Sequence, residues 1–238
     1  MRTLQSSLPS QGKGKGKGFA ARFVCAVNNC SPPSSPLCKG ERRIQHTARM
    51  NLSAVLLAGG ESRRMGKDKA TVLFRVKPLW QIQLELLRKL HPAQIFVSAR
   101  TDPAWRPADL QFLADDPPSR GPLSGLAASL AQMRSAHLLA LAIDMPFMTE
   151  KFLQRLCEQI EPAVGVVPKI GSRAEPLAAI YPREAEIDVH EGLAGDDFSL
   201  QTLVRRLIAA GKLREISVAK QERKLFLNVN QLSDLAAL

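Results

Sequence analysis

The stretch SAVLLAGGESRRMGKDKA, residues 53–70, sets Gly59, Gly60 and Gly66 among Arg63, Arg64, Lys67 and Lys69, directly after an apolar run. Glycines let backbone N–H groups approach and wrap an anion, and neighbouring Arg and Lys side chains neutralise it, so phosphate is the ligand these residue types suit. The plainer reading of the same cations is a solvated charged face. Two familiar phosphate loops are excluded by spacing. Five residues separate Gly60 from Gly66 and Asp68 follows Lys67, which breaks the pattern of four residues and then Lys-Ser or Lys-Thr; Gly59 and Gly60 are adjacent, which breaks the dinucleotide G-x-G-x-x-G.

Acids follow two other apolar runs: Asp115 or Asp116 after FLA, and Asp144 after HLLALAI. A carboxylate at the end of a buried strand, beside a cationic phosphate loop, can hold Mg²⁺ against phosphate oxygens. The alternative for Asp144 is a turn or cap before Pro146. GPLSG at 121–125 does not have the serine spacing of a nucleophile elbow, and its glycines instead permit a tight turn at a helix N-terminus. His46, His91, His137 and His190 are scattered singly and suggest neither a triad nor a metal centre, while Trp80 and Trp105 read as packing residues. The set favours phosphoryl or nucleotidyl transfer without a covalent enzyme intermediate, in which positioning and charge neutralisation supply most of the rate.

Such residues need elements to bring them together. Residues 54–57 are expected to form a strand buried on both faces, and QIFVSA (94–99), LQFLA, HLLALAI, AVGVVP and PLAAIY are expected as strands, the last two joined through a turn at Gly171. Pro78 should open a helix with the stripe Leu79, Ile82, Leu86 and Leu90, and Pro122 another to about Arg134. Thr149 and Ser199 are candidate caps for helices carrying Phe152, Leu153, Leu156 and Ile160, and Leu200, Leu203, Val204, Leu207 and Ile208. KLREISV and KLFLNV are expected as late strands and QLSDLAAL as a terminal helix. Alternation of this kind predicts an α/β fold of three layers, a mostly parallel sheet with helices on both faces. Ligands bind such sheets beyond the carboxyl ends of the strands, where the glycine loop, Asp115 or Asp116, and Asp144 all fall.

The formal charge of +11 looks like a nucleic-acid or membrane signal until it is located. Residues 1–49 hold nine Lys or Arg against the single acid Glu41, so +8 lies there and only +3 in the remaining 189 residues. That segment, with GKGKGKG and SPPSSPLCKG, lacks the periodicity of a packed domain. A targeting peptide and a basic arm that touches nucleic acid are both open readings; an upstream start, with the domain beginning at Met50, is favoured. Cys25, Cys30 and Cys38 have no zinc-ligand spacing, and Cys157 is expected as an inert core thiol in a reducing, cytoplasmic setting. The longest central apolar run, LLALAI, is too short to cross a bilayer, and the domain is expected to bind neither membrane nor nucleic acid.

LAGGESRRMGKDKA, KPLW, GPLSGL, DMPF, RAEPLAAIY and FLNVN, in that order, resemble the molybdenum cofactor guanylyltransferases over about Leu52 to Leu238. The resemblance implies a Rossmann-like nucleotidyltransferase fold and transfer of GMP from GTP to the terminal phosphate of molybdopterin, with Mg²⁺ as cofactor and release of pyrophosphate. It implies backbone contacts to the nucleotide from Leu57, Ala58 and Gly59, phosphate neutralisation by Arg64 and Lys69, Mg²⁺ on Asp144, and nucleoside contact by Asp115 with Asp116 as rival. Ser98 occupies a nucleoside-binding place where the family often has Asn. Asn228 and Asn230 match an Asn-x-Asn near the pterin or metal. Cofactor-insertion proteins and molybdoenzyme apoproteins are the implied further partners. A cytidylyltransferase for the same pterin, or a carrier that binds without transferring, are the alternatives; Gly59-Gly60 supports guanine over cytosine.

Overall fold

The computed structural model describes residues 51–59, 68–115 and 119–229. Its first three long strands are β1 (Leu52–Leu57), β4 (Gln94–Ala99) and β5 (Gln111–Ala114), separated by the two-residue strands β2 (Leu73–Phe74) and β3 (Lys77–Pro78), which pair as a hairpin, and by helix α1 (Leu79–Arg88). Helix α2 (Pro122–Gln132) leads to β6 (His137–Ala142), and α3 (Glu150–Cys157) to β7 (Gly165–Ile170), β8 (Arg173–Ala174) and β9 (Ala178–Pro182). Helices α4 (Glu186–Ala194) and α5 (Leu200–Ala209) precede the last strand, β10 (Leu213–Ser217).

The sheet runs β10-β7-β9-β6-β1-β4-β5, with β8 folded back on β7. The block β6-β1-β4-β5 is wholly parallel. Within it, β1 is buried along its whole length: Leu52, Ala54 and Leu56 belong to one apolar cluster, Val55 and Leu57 to the other. The period-2 alternation of side chains thus feeds both faces of the sheet, which is why the sequence of β1 is apolar at every position but Ser53, whose buried hydroxyl bonds to Ser135 Oγ (3.0 Å), rather than alternating. Leu79, Leu84 and Leu87 of α1 and Phe152, Leu153 and Leu156 of α3 cover the first face; Leu123, Leu126 and Leu130 of α2 and Leu203, Val204 and Leu207 of α5 cover the second. The expected three-layer α/β architecture is the one observed.

Several local expectations change. β9 does not simply complete a hairpin with β7: the turn at Gly171 (φ 62°) closes the short β7–β8 pair, and β9 then inserts between β7 and β6, antiparallel to both. KLFLNV is not a strand; Lys220–Phe226 is a 3₁₀ turn that buries the adjacent side chains Leu225 and Phe226 together, which an extended chain would send to opposite faces. Thr149 caps α3 through Phe152 N, whereas Ser199 stands at the α5 N-cap position without a side-chain capping bond, and its own N–H is held by Asp197 Oδ1. In α1, Ile82 is only partly buried and Gln83 takes a fully buried place instead. Cys157 is buried and its thiol is pushed up to about 11 by desolvation, so it stays protonated at neutral pH, as an inert core thiol should. The expectations for residues 1–49 and for the terminal helix QLSDLAAL lie outside the described residues.

Candidate active site at the carboxyl edge of the parallel strands

Four parallel strands deliver their ends to one edge. At the end of β1, Leu57 O accepts from Ile143 N (3.1 Å) and Ala58 N donates to Ser98 O (2.8 Å), so these two groups are committed to the neighbouring chains. Leu57 itself is only 6% exposed. Gly59 is next along the chain, and it lies against Asp115: a Cβ built on it would stand 3.4 Å from Asp115 Oδ2. Of the three residues expected to offer backbone contacts, Leu57 ends β1 while Ala58 and Gly59 both lie past it.

Asp115 follows β5 and is 7% exposed. Its Oδ1 accepts from Ser98 Oγ (3.2 Å) and its Oδ2 from Ser119 Oγ (2.7 Å). Two hydroxyl donors hold a carboxylate in place without neutralising it, which suits a fixed acceptor for ligand N–H or O–H groups. Ser98, at the end of β4, is 1% exposed and sits behind Asp115 with its hydroxyl spent on that carboxylate. Helix α2 packs close against this pair through Gly125, where a Cβ would come within 2.5 Å of Ser98 Oγ and 2.8 Å of Leu57 Cδ2. The tight turn expected of GPLSG is at Gly121 alone (φ 67°); Gly125 serves close approach between helix and sheet.

Asp144 follows β6, and Lys69 begins the 3₁₀ turn Lys69–Thr71. Lys69 Nζ donates to Asp144 Oδ2 at 2.8 Å, with the two side chains 20% and 19% exposed. Among the described residues, the buried Asp144 Oδ1 accepts no hydrogen bond. A desolvated, unpartnered carboxylate oxygen is costly unless something cationic satisfies it, so the donor set fits a hard divalent ion. No group of three His, Cys, Asp or Glu side chains able to hold a metal occurs among the described residues. An ion here would rest on one carboxylate together with phosphate and water oxygens, the way Mg²⁺ is commonly bound beside substrate phosphates.

The carbonyl of Asp144 accepts from Val229 N (2.9 Å), which brings the exposed Asn228 beside the same acid. Arg155 NH1 and NH2 clasp both oxygens of Glu222 (2.7 and 2.9 Å), and Phe152 meets Phe226 edge-on with centroids 5.2 Å apart, so α3 holds the turn that leads to Asn228. The site thus unites Gly59, Lys69, Ser98, Asp115, Asp144 and Asn228 along one edge, while Arg64, Asp116 and Asn230 lie outside the described residues.

Two residues near this edge were not anticipated. Gln83 of α1, 0% exposed, donates through Nε2 to Met145 O (2.6 Å), bracing the peptide that follows Asp144. A lone polar residue within an apolar helical face was the available signal. Glu175 lies in the β8–β9 connection, whose Leu177 O accepts from Ala142 N (2.8 Å) just before Asp144. Half-buried, its carboxyl is pushed above the ordinary range by desolvation, against the opposing pull of Arg173.

Residues 54–216 match the family described as the MobA-like NTP transferase domain. The chain is 31% identical over 186 residues to a probable molybdenum cofactor guanylyltransferase of Opitutus terrae, an alignment covering 77% of this chain and 92% of that protein. To the molybdenum cofactor guanylyltransferase of Syntrophotalea carbinolica it is 29% identical, covering 76% and 88%. Its fold is similar to the crystal structure of molybdopterin-guanine dinucleotide biosynthesis protein A from Archaeoglobus fulgidus, with TM-score 0.64, 25% identity, and 78% and 95% of the two chains covered.

Proposed function

The chain belongs to the MobA-like NTP transferase family, and from that premise we propose that it transfers GMP from GTP to the terminal phosphate of molybdopterin. The acceptor phosphate oxygen attacks the α-phosphorus of GTP, the bond from that phosphorus to the bridging oxygen breaks in line, and pyrophosphate leaves with the electron pair. The observation that carries this reading is the Lys69–Asp144 pair with the second Asp144 oxygen buried and, among the described residues, without a hydrogen-bond partner. It is a place prepared for a cation and for phosphate at once.

Asp144 is the residue that would hold Mg²⁺, which when bound would neutralise phosphate charge as it builds in the transition state. Lys69, bonded to Asp144, would face the phosphate oxygens beside it, and Arg64 is proposed to add a second cation. Leu57, Ala58 and Gly59 are proposed to meet the nucleotide through their backbone, with Leu57 O and Ala58 N already held by neighbouring chain segments. Asp115, held by Ser98 and Ser119, is the proposed nucleoside acceptor. Asn228 and Asn230 are proposed on the pterin side. Preorganised charge of this kind contributes several kcal/mol to group transfer, since no nucleophilic side chain takes part.

The catalytic domain is proposed to begin at Met50 and to work in the cytoplasm, passing its product to cofactor-insertion proteins or molybdoenzyme apoproteins. Among the described residues no helix is long and apolar enough to cross a membrane. Calorimetric titration of the full chain with GTP, CTP, ATP and UTP, each with and without Mg²⁺, followed by pyrophosphate release in the presence of molybdopterin, tests the proposal. GTP-selective binding strengthened by Mg²⁺ and coupled pyrophosphate release are expected. Selectivity for CTP would move the substrate to cytidine, and nucleotide binding without release would make the protein a carrier.

A further inference from the structure

Lys69 reaches Asp144 from a turn whose own anchorage lies elsewhere. Asp68, immediately before it, accepts from Ala70 N through Oδ1 (3.0 Å) and from the indole Nε1–H of Trp105 through Oδ2 (2.8 Å). Trp105 in turn stacks on Trp80 of α1, with ring centroids 5.6 Å apart and planes 16° from parallel. Both indoles are partly buried against the apolar cluster that contains β1 and α1. The segment carrying Trp105 is itself braced: Arg106 pairs with Asp102 (Nε–Oδ1, 2.7 Å) and donates to the carbonyls of Pro107 and Leu110.

A long flexible side chain such as Lys gains a defined position only if its backbone is fixed, because its four torsions otherwise spread the ammonium over many places. Asp68 supplies that fixation with both carboxylate oxygens engaged, one on the turn that follows and one on a rigid aromatic from another part of the chain. A hydrogen bond to an ionised acceptor is among the stronger kinds, and the stack keeps the indole from swinging away.

We propose that Trp105 is a positioning residue for the transfer site: its indole N–H, bonded to Asp68 and steadied by the Trp80 stack, sets the turn that aims Lys69 at Asp144 and the phosphates. The inference rests on the guanylyl-transfer reading only for the identity of the ligand. The aim of Lys69 can be tested without any.

Trp105→Phe retains a ring for the stack and removes the N–H. In full-length protein whose lysines carry ¹³C-methyl labels, the Lys69 signal is assigned by its loss in Lys69→Arg. It should move toward the position of exposed lysines in Trp105→Phe, as it should in Asp144→Asn, while the urea midpoint stays close to wild type. In ¹⁵N spectra the chain's two indole signals are readily separated, and the Trp105 signal should shift in Asp68→Asn. GTP affinity should fall roughly five- to tenfold in Trp105→Phe, and less than about twofold when the same change is made on a Lys69→Ala background, as expected for residues acting through one another. A Lys69 signal unmoved by Trp105→Phe, or an equal loss of affinity in both backgrounds, would overturn the inference. If wild-type protein binds no GTP yet the Lys69 signal still moves, the positioning role stands and the guanylyl reading falls.

Discussion

Lys69 Nζ and Asp144 Oδ2 lie 2.8 Å apart although 75 positions separate them in the chain. One arrives on a short turn after the glycine loop, the other at the end of β6, and only the parallel pairing of β6 with β1 brings them to the same edge. Removing either charge should cost transfer far more than folding. Asp144→Ala and Lys69→Ala are each expected to lose about 3 kcal/mol of transition-state stabilisation, on the order of a hundredfold in turnover. Pyrophosphate release read beside a thermal melt checks this, and an Asp144→Ala protein with undiminished turnover would refute the metal assignment.

Gly125 is the point at which helix α2 presses on the sheet behind Asp115. A methyl group there would come within 2.5 Å of Ser98 Oγ, which is buried and bonded to Asp115. Gly125→Ala should therefore destabilise the protein by about 1–3 kcal/mol, the usual cost of overpacking, and weaken nucleotide binding beyond that through displacement of Asp115. Urea unfolding and a GTP titration on the same sample separate the two effects.

The clasp of Arg155 on Glu222 carries a pH signature. Hydrogen bonding to Arg155 lowers the Glu222 carboxyl below its ordinary range. A lowered folded-state value means that this contribution to stability is complete above the unfolded pKa and is lost as pH falls through the folded one. Glu222→Gln should lower stability modestly at neutral pH and remove part of the acid-induced loss. Denaturant midpoints across an acid pH series, wild type against variant, report it, and identical slopes would count against the clasp.

Glu175 should behave in the opposite sense. Its carboxyl is raised by burial, so its protonated form suits the fold, and the associated stability is present below the unfolded pKa and disappears as pH rises through the folded value. Glu175→Gln, which keeps the shape without the charge, is expected to be as stable as wild type in acid and more stable near neutrality. A variant less stable than wild type near neutrality would show that the ionised carboxylate has a partner of its own.

The sequence by itself determined the layers and the edge. Apolar runs too short for helices, alternating with amphipathic segments opened by Pro122 or Thr149, require a sheet covered on both faces, and a parallel sheet puts the residues after its strands at one edge. Gly59, Asp115 or its rival Asp116, and Asp144 could be placed there because each closely follows such a run. Lys69 and Ser98 could be named, but their partners could not. Tertiary structure alone decided that β9 inserts antiparallel between β6 and β7, that Lys220–Phe226 coils around Leu225 and Phe226, and that Gln83 braces Met145. It also decided that Trp105 holds Asp68. The physical reason is range. Periodicity and capping are written in neighbours along the chain, whereas a hydrogen bond between residues far apart in sequence depends on where whole strands and helices come to rest, which is settled by packing the two apolar faces of the sheet together.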